Sequence, residues 1–281
     1  ENGNLYVADS DRRRVVKFDA QGQYLGAIKE GETFRPVAVV ADRGKGYVAD
    51  TESRKVHVFD LSSSKRLRSI PASGDTNAVQ LAISQTNAPE SDVVSLSTNT
   101  VGADSNAIPP GDTVSTQILV SSVGTGQTAS GDPNLYLPIN VDVDGEENLY
   151  VTDAAAFRVQ VYDRDGRHVR SIGRHGSGFG EFARPKGICV DRAGRLYVVD
   201  AAEQVVQVFD AKTGAILMYF GGPADHEASL SLPAGICIDY ESVRYFQKYA
   251  DPGFEIEHLI LVSSQLDPPR ISVYGFGHRK M

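Results

Sequence analysis

The sequence predicts an all-β fold that is built from small repeated units along its 281 residues. Two sequence pieces recur in a fixed order. The first is a short apolar run that ends in aspartate and continues into a second such run, as in LYVVDAAEQVVQVFD. Its tyrosine occurs at Tyr6, Tyr47, Tyr150 and Tyr197, at intervals of 41, 103 and 47 residues. The second piece sets a proline six residues before an aspartate, and its copies are Pro36–Asp42, Pro138–Asp144, Pro185–Asp191 and Pro233–Asp239.

Each repeated unit contains four short runs that are rich in Val, Ile, Tyr and Phe and are separated by Gly, Asp or Asn. The clearest unit reads GICVD, LYVVD, VVQVFD and ILMYFG. Such runs predict strands, and no comparable stretch has a sustained helical period. Four-stranded units of about 47 residues are typical of β-propeller blades, because one blade cannot bury its own faces. Since 281 residues are close to six such periods, the sequence predicts a six-bladed β-propeller.

The predicted blades cover residues 1–34, 35–75, 76–134, 135–183, 184–231 and 232–281 of a single domain. The interval of 103 residues is about two periods, which predicts a degenerate third blade. The first and last blades are predicted to be incomplete, because Glu1 follows the place of an inner strand and ISVYGFG matches a third strand. We therefore expect a segment upstream of Glu1 to supply the missing strands.

The charge distribution argues against nucleic-acid binding by the general surface. The chain has 36 acidic and 28 basic residues, for a net charge of −8, and nucleic-acid binders need a basic face. Residues 69–157 contain eleven acidic residues and neither lysine nor arginine. No run of roughly 18 apolar residues predicts a membrane span.

The last repeat carries an aromatic insertion between its first and second strands. The segment from Glu241 to Ala250 is expected to form a short helix with Tyr245 and Tyr249 on one face. One interpretation is a lid that covers the blade, and the other is a docking surface, because aromatic residues are enriched at interface hot spots. The candidate partner-binding residues are Tyr240, Tyr245, Phe246, Tyr249 and Phe254.

The other polar residues are expected to be structural, and the sequence predicts no catalytic residue, metal site or cofactor. The aspartates that end the second strands should bond to the following turn, often with the basic residue Arg14, Lys55 or Arg158. The histidines lack metal-ligand spacing. The cysteines Cys189 and Cys237 hold the same place in two repeats and are expected to be buried thiols. The glycine-rich stretch from Gly176 to Gly180 leads into a strand, so it lacks the helix end of a phosphate loop.

The pattern P-x-G-I-x-x-D, G-x-L-Y-V-x-D and R-V-x-V-[FY]-D resembles the NHL repeat, of the type found in secreted or envelope proteins of bacteria. The resemblance implies a non-catalytic scaffold that binds a protein partner. It implies an extracellular, periplasmic or envelope location, and the tail suggests a multihaem cytochrome or a filament as partner. The alternative is a metal-dependent hydrolase or lyase that uses the central channel of the propeller.

Overall fold

The computed structural model describes residues 3–71, 132–222, 229–266 and 269–280. In these ranges the strands form five antiparallel sheets, which we number in chain order. Sheet 1 contains β1 (Leu5–Asp9), β2 (Arg14–Phe18) and β3 (Tyr24–Ile28), and sheet 2 contains β4 (Pro36–Asp42), β5 (Lys45–Asp50), β6 (Lys55–Asp60) and β7 (Arg66–Ile70). Sheet 3 contains β8 (Pro138–Val143), β9 (Leu149–Asp153), β10 (Arg158–Tyr162) and β11 (His168–Ile172).

Sheets 4 and 5 complete the described part of the fold. Sheet 4 contains β12 (Pro185–Val190), β13 (Arg195–Asp200), β14 (Val205–Asp210) and β15 (Ile216–Gly221), and sheet 5 contains β16 (Pro233–Asp239), β17 (Phe254–Ser264) and β18 (Arg270–Arg279). Helical structure in the described ranges consists of α1 (Val243–Phe246) and short 3₁₀ turns. In the parts of the chain that the structure describes, no helix could cross a membrane.

The repeated aspartates form the turns that join the first and second strands. Asp191 Oδ1 accepts hydrogen bonds from the backbone N–H groups of Ala193 and Arg195, at 2.9 and 2.8 Å. Gly194 completes this turn with φ of 78°, a conformation that glycine adopts without strain. Asp144 accepts equivalent bonds in sheet 3. The period of the sequence thus repeats the same hydrogen-bonded turn.

Consecutive sheets pack together by one rule. Apolar residues on the third strand of one sheet pack against the second strand of the next sheet. Between sheets 3 and 4, Val159 and Val161 share a buried cluster with Leu196 and Val198. Between sheets 4 and 5, Val206 and Val208 share one with Ile260 and Val262. Each sheet therefore buries its faces only with the help of its neighbours, as expected for a propeller.

Sheets 2 and 3, the predicted second and fourth blades, follow the same rule and contact each other directly. Val56 and Val58 of β6 share a buried cluster with Leu149 and Val151 of β9. A repeated arginine also links neighbouring sheets. The Arg68 side chain of sheet 2 donates to the Arg164 carbonyl of sheet 3. In the same way, Arg170 Nη1 of sheet 3 donates to the Ala211 carbonyl of sheet 4, at 2.6 Å. Among the described residues, no strand lies between sheets 2 and 3.

The fold class predicted from the sequence is confirmed. The structure is an all-β propeller of four-stranded antiparallel sheets, and the first and last sheets each show three strands in the described residues. The predicted third blade, 76–134, lies outside the described residues except for its last three positions. The interval of 103 residues, which predicted that blade, separates two sheets that are neighbours in the structure.

Candidate interaction surface

The aromatic insertion forms a compact loop between β16 and β17. Asp239 Oδ1 accepts hydrogen bonds from the N–H groups of Glu241 and Ser242 and so starts the turn. Helix α1 follows, and a 3₁₀ turn, Gln247–Tyr249, continues it. Gln247 fixes the end of the loop, because its side chain donates to the Phe254 carbonyl at 2.7 Å and accepts from the Ile256 N–H at 2.9 Å. The predicted helix is thus present as two short helical turns.

Three of the five predicted partner-binding residues form one cluster, in which the two tyrosines are exposed and Phe246 is half-buried. Tyr245 and Tyr249 are 59% and 68% exposed, and their ring centroids lie 6.3 Å apart. Phe246 packs beside both rings. The Lys248 ammonium lies 4.4 Å from the Tyr245 ring centroid and 4.9 Å from that of Tyr249. We call Tyr245, Phe246, Lys248 and Tyr249 the tyrosine surface.

The other two predicted residues attach the insertion instead of joining the tyrosine surface. The Tyr240 hydroxyl accepts a hydrogen bond from the Arg192 backbone N–H of sheet 4 at 2.8 Å, and the Arg192 guanidinium stacks on its ring at 4.0 Å. Phe254 is half-buried at the start of β17. Proximity along the chain predicts one group of five aromatic residues. In the structure Tyr240 contacts sheet 4 and Phe254 is half-buried in β17, so neither belongs to the tyrosine surface.

A buried polar cluster lies beneath the insertion. The side chain of Asp191 is completely buried, and its Oδ2 accepts from Arg195 Nε at 2.5 Å and from the Tyr197 hydroxyl at 3.1 Å. His258 Nε2 lies 3.2 Å from the Tyr197 hydroxyl oxygen and 3.8 Å from Asp191 Oδ2. Burial lowers the pKa of His258, while the Asp191 carboxylate opposes that shift.

This cluster connects sheets 4 and 5 with the insertion. The His258 ring stacks on Phe276 of β18, with centroids 4.9 Å apart, and contacts the Tyr240 ring at 5.4 Å. This cluster was not predicted from the sequence. The available signal was the spacing of six residues from Asp191 to Tyr197, which recurs in sheet 3, where the Tyr150 hydroxyl donates to Asp144 at 3.0 Å.

The aspartates that end the second strands have a structural role. They accept hydrogen bonds from the backbone that enters their own sheet: Asp50 from Arg35, Asp153 from Leu137, and Asp200 from Arg184. The predicted basic partner is correct at Arg14, whose Nε lies 3.0 Å from Asp9 Oδ2. It is wrong at Arg158, whose guanidinium instead lies 3.3 Å from Asp132 Oδ2, because Asp153 is occupied by backbone N–H groups.

The buried histidine of sheet 2 resembles a catalytic arrangement but has structural counterparts. His57 Nε2 lies 3.1 Å from Asp50 Oδ2, and its Nδ1 lies 2.8 Å from Ser69 Oγ. Gln160 holds the equivalent place in sheet 3, where its Oε1 accepts from Ser171 Oγ at 2.7 Å. Since an unreactive glutamine makes the same serine contact, we interpret His57 as a structural residue.

The remaining candidates also have structural explanations. In the glycine-rich stretch, the Glu181 carboxylate accepts from the Gly178 N–H at 3.0 Å and pairs with Arg174 at 2.8 Å, so the chain's own anion occupies the loop. Within the described ranges, no group of three or more His, Cys, Asp or Glu side chains could hold a metal ion.

One prediction about the cysteines is wrong. Cys189 is buried, and burial raises its pKa, but Cys237 is exposed. The physical reason is position. Cys189 lies in the apolar cluster between sheets 4 and 5, whereas the equivalent face of sheet 5 has no neighbouring sheet among the described residues.

Comparisons with known proteins agree with the fold. A family model, DUF5128, described as a 6-bladed beta-propeller, matches residues 139–232. A virginiamycin B lyase from Staphylococcus aureus is similar with a TM-score of 0.50 and 10% identity, covering 98% of this chain and 67% of that chain. Hydrazine synthase from Kuenenia stuttgartiensis gives a TM-score of 0.49 and 12% identity.

These similarities have a limited reach. The match to hydrazine synthase covers 98% of this chain but 63% of that chain. No curated protein matches the sequence. At these identities the likeness to the lyase indicates the propeller fold alone.

Proposed function

We propose that this chain is a non-catalytic propeller domain that binds a protein partner through the tyrosine surface. The observation that carries the proposal is the pair Tyr245 and Tyr249, which the insertion holds exposed and adjacent. Tyrosines of this kind supply large apolar contact area at low entropic cost and are enriched at binding hot spots. The other prominent polar clusters make contacts that hold the sheets together.

The contacts that hold the insertion in place support this role. Its base is fixed to the neighbouring sheet through Tyr240 and Arg192 and to β17 through Gln247. The tyrosines therefore lie on a preorganised loop, so little ordering entropy is lost when a partner binds. A lid would turn its aromatic rings toward the blade, whereas Tyr245 and Tyr249 face solvent.

We extend the proposal to an extracellular or envelope complex, on the strength of the resemblance to secreted NHL-type proteins. A multihaem cytochrome or a filament protein is the first partner class to test. Because the surface joins exposed tyrosines to a lysine, we expect binding that depends mainly on aromatic contact and only modestly on ionic strength.

The test begins with a photo-crosslinking amino acid at position 249 in the native envelope, which identifies the protein in contact with this position. Binding is then measured with that purified protein. Tyr245→Ala and Tyr249→Ala should each weaken binding roughly 10- to 100-fold. Tyr24→Ala is the matched control, because Tyr24 is 61% exposed but lies on β3. Equal losses for all three variants, or no loss for any, would contradict the proposal.

A further inference from the structure

The outer strand of sheet 4 exposes four consecutive large apolar side chains. Among the described residues, β15 ends the strand order of its sheet, so no further strand pairs with its outer edge. Its residues Ile216, Leu217, Met218 and Tyr219 are 36%, 53%, 43% and 51% exposed. The strand contains neither a charged residue nor a proline, which commonly protect a free edge. An edge of this composition favours pairing with another strand.

At the same positions, the outer strands of sheets 2 and 3 have polar side chains. Pairing with the third strand sets Met218 at the place of Arg68 in β7 and Arg170 in β11. Those two arginines reach the backbone of the next sheet, whereas Met218 is exposed. Tyr219 likewise stands where β7 and β11 each have a serine. Sheet 4 therefore has an apolar outer strand in place of one that links two sheets.

A residue of the glycine-rich stretch extends this surface. Phe179 is 68% exposed, and its ring centroid lies 4.8 Å from that of Tyr219. The stretch is fixed to sheet 4 through Gln207, whose Oε1 accepts from the Gly180 N–H at 2.8 Å and whose Nε2 donates to the Glu181 carbonyl at 2.7 Å. We call Phe179, Ile216, Leu217, Met218 and Tyr219 the outer-strand surface.

We propose that a second copy of this chain binds the outer-strand surface, with the two β15 strands paired in antiparallel order. A two-fold symmetric contact uses the same patch on both copies, so the patch must complement itself. An uncharged apolar edge meets this condition, because the partner edge is equally apolar and the outward backbone groups of both strands form one ladder. Sheet 4 then becomes one half of a continuous eight-stranded sheet.

The other outer strands suit such a contact less well. In β7 and β11, self-pairing brings arginines of the two copies close together, and like charges on paired strands are destabilising. β3 is uncharged, but it has Gly26 and Ala27 where β15 has Met218 and Tyr219. The tyrosine surface is a separate feature, because it lies on the loop between β16 and β17.

The area of the outer-strand surface matches a small dimer interface. With about 200 Å² for each large side chain, the exposed fractions of its five residues give roughly 500 Å² per copy, or about 1,000 Å² for the pair. A specific interface needs about 1,000 Å². We therefore expect a dimer with a dissociation constant in roughly the micromolar range.

Sedimentation velocity at concentrations from about 1 to 100 μM tests the pairing. The mass should rise from 30.3 kDa toward twice that value as the concentration increases. Leu217→Lys should raise the dissociation constant by about tenfold or more, because the dimer then holds two added charges in its apolar contact. Leu67→Lys is the matched control and should leave the dimer unchanged, because Leu67 is 55% exposed at the equivalent bulge of β7.

Amide exchange distinguishes strand pairing from apolar contact alone. At a concentration where the dimer predominates, amides of β15 should exchange more slowly in the original chain than in Leu217→Lys, by about tenfold or more. Exchange in β7 should be the same in both chains. Tyr219→Ser introduces the residue that β7 and β11 have at this place, and it should also weaken the dimer. This variant keeps the test valid if Leu217→Lys does not fold.

Three results would overturn the proposal. The first is a monomer at every concentration, whether its β15 amides exchange slowly or rapidly. The second is an equal loss of dimer in Leu217→Lys and Leu67→Lys when circular dichroism shows that both are folded. The third is a dimer of the original chain whose β15 amides exchange as rapidly as those of Leu217→Lys.

Discussion

At the scale of single residues, Asp142 shows the free-energy cost of burying a charged carboxylate. Its carboxylate accepts from the Val190 N–H across the interface between sheets 3 and 4, at 2.8 Å, and from the Val143 N–H at 2.9 Å. Burial nevertheless raises its pKa to about 6, from an ordinary value of 3.8. The fold therefore favours the protonated form of this residue.

The consequence is a stability that decreases as the pH rises from about 4 to 6. Below this range Asp142 is protonated in both states, and above it the folded protein holds a desolvated charge. A pKa shift of roughly two units corresponds to about 3 kcal/mol. Relative to the original chain, Asp142→Asn should therefore gain up to about 3 kcal/mol in unfolding free energy between pH 4 and pH 7, as measured by urea denaturation.

A control of opposite sign is available in the same chain. Serine and backbone hydrogen bonds lower the pKa of Asp60 to about 2. Its contribution to stability is present above pH 4 and is lost as the pH falls toward 2. Asp60→Asn should therefore change the pH dependence of the unfolding free energy only between about pH 4 and pH 2. Parallel pH profiles for the original chain and Asp142→Asn would contradict the assignment.

His258 gives a second pH dependence of stability, opposite in sign to that of Asp142. It faces Asp191 in the turn between β12 and β13, Arg195 and Tyr197 of β13, Tyr240 of the insertion, and Phe276 and Glu257 of sheet 5. Because burial lowers its pKa from 6.5, protonation opposes folding, and stability should fall as the pH drops below about 6.5.

The prediction for His258 can be checked with a matched pair of variants. His258→Gln should flatten the decline of the unfolding free energy between pH 7 and pH 5 and should slow amide exchange in residues 240–254 at pH 5. His57→Gln is the matched control for replacing a buried histidine by glutamine, because Gln160 and Gln207 already hold that place in other sheets. Equal pH profiles for the two variants would show that His258 is not the group that titrates.

At the scale of elements, the arginine after the outer-strand bulge links neighbouring sheets. Arg170 follows the bulge between β10 and β11 and donates to the Ala211 carbonyl of sheet 4. In sheet 4 the same place is held by Met218. Arg170→Met thus exchanges one repeat for another and should cost roughly 1.5 to 3 kcal/mol, the usual range for a hydrogen bond to a charged group.

Thermal or urea unfolding measures that loss, and the chain offers a control. Arg167→Met removes a highly exposed arginine of the turn just before β11, whose ion pair with Asp165 lies on the surface. Surface pairs contribute little, so this variant should change the unfolding free energy by less than about 1 kcal/mol. If Arg170→Met costs no more than Arg167→Met, the arginine link does not stabilise the interface.

The sequence was sufficient to predict the elements, because strand content and turns are local properties. The runs around Tyr150 and Tyr197 form the predicted strands, and the aspartates form the predicted turns. The insertion was also visible in the sequence, as excess length and aromatic content. The side to which Tyr240 points depends on Arg192 of another sheet, and no local pattern could reveal that contact.

At the scale of the molecule, spacing was a weaker guide than packing. The interval of 103 residues was read as two repeats, yet Val58 and Val151 meet directly across it. The apolar faces identify which described sheets are neighbours, and sequence distance alone does not. The same faces explain why Cys189 is buried and Cys237 is exposed, although both occur in the same motif.

The five sheets in the described residues predict a gradient of stability. Sheets 2, 3 and 4 have described neighbours on both sides, while sheets 1 and 5 each have one. In repeat architectures stability is approximately the sum of each unit and its interfaces with its neighbours. Hydrogen exchange should therefore be slowest in β9, β10 and β13 and faster by about tenfold or more in β2 and β17.

Amide exchange followed by mass spectrometry at pH 7 tests this gradient, and the three middle sheets serve as the internal reference for β2 and β17. Uniform protection of all five sheets would contradict the gradient. In that case single sheets, and not their interfaces, would determine the stability of the fold.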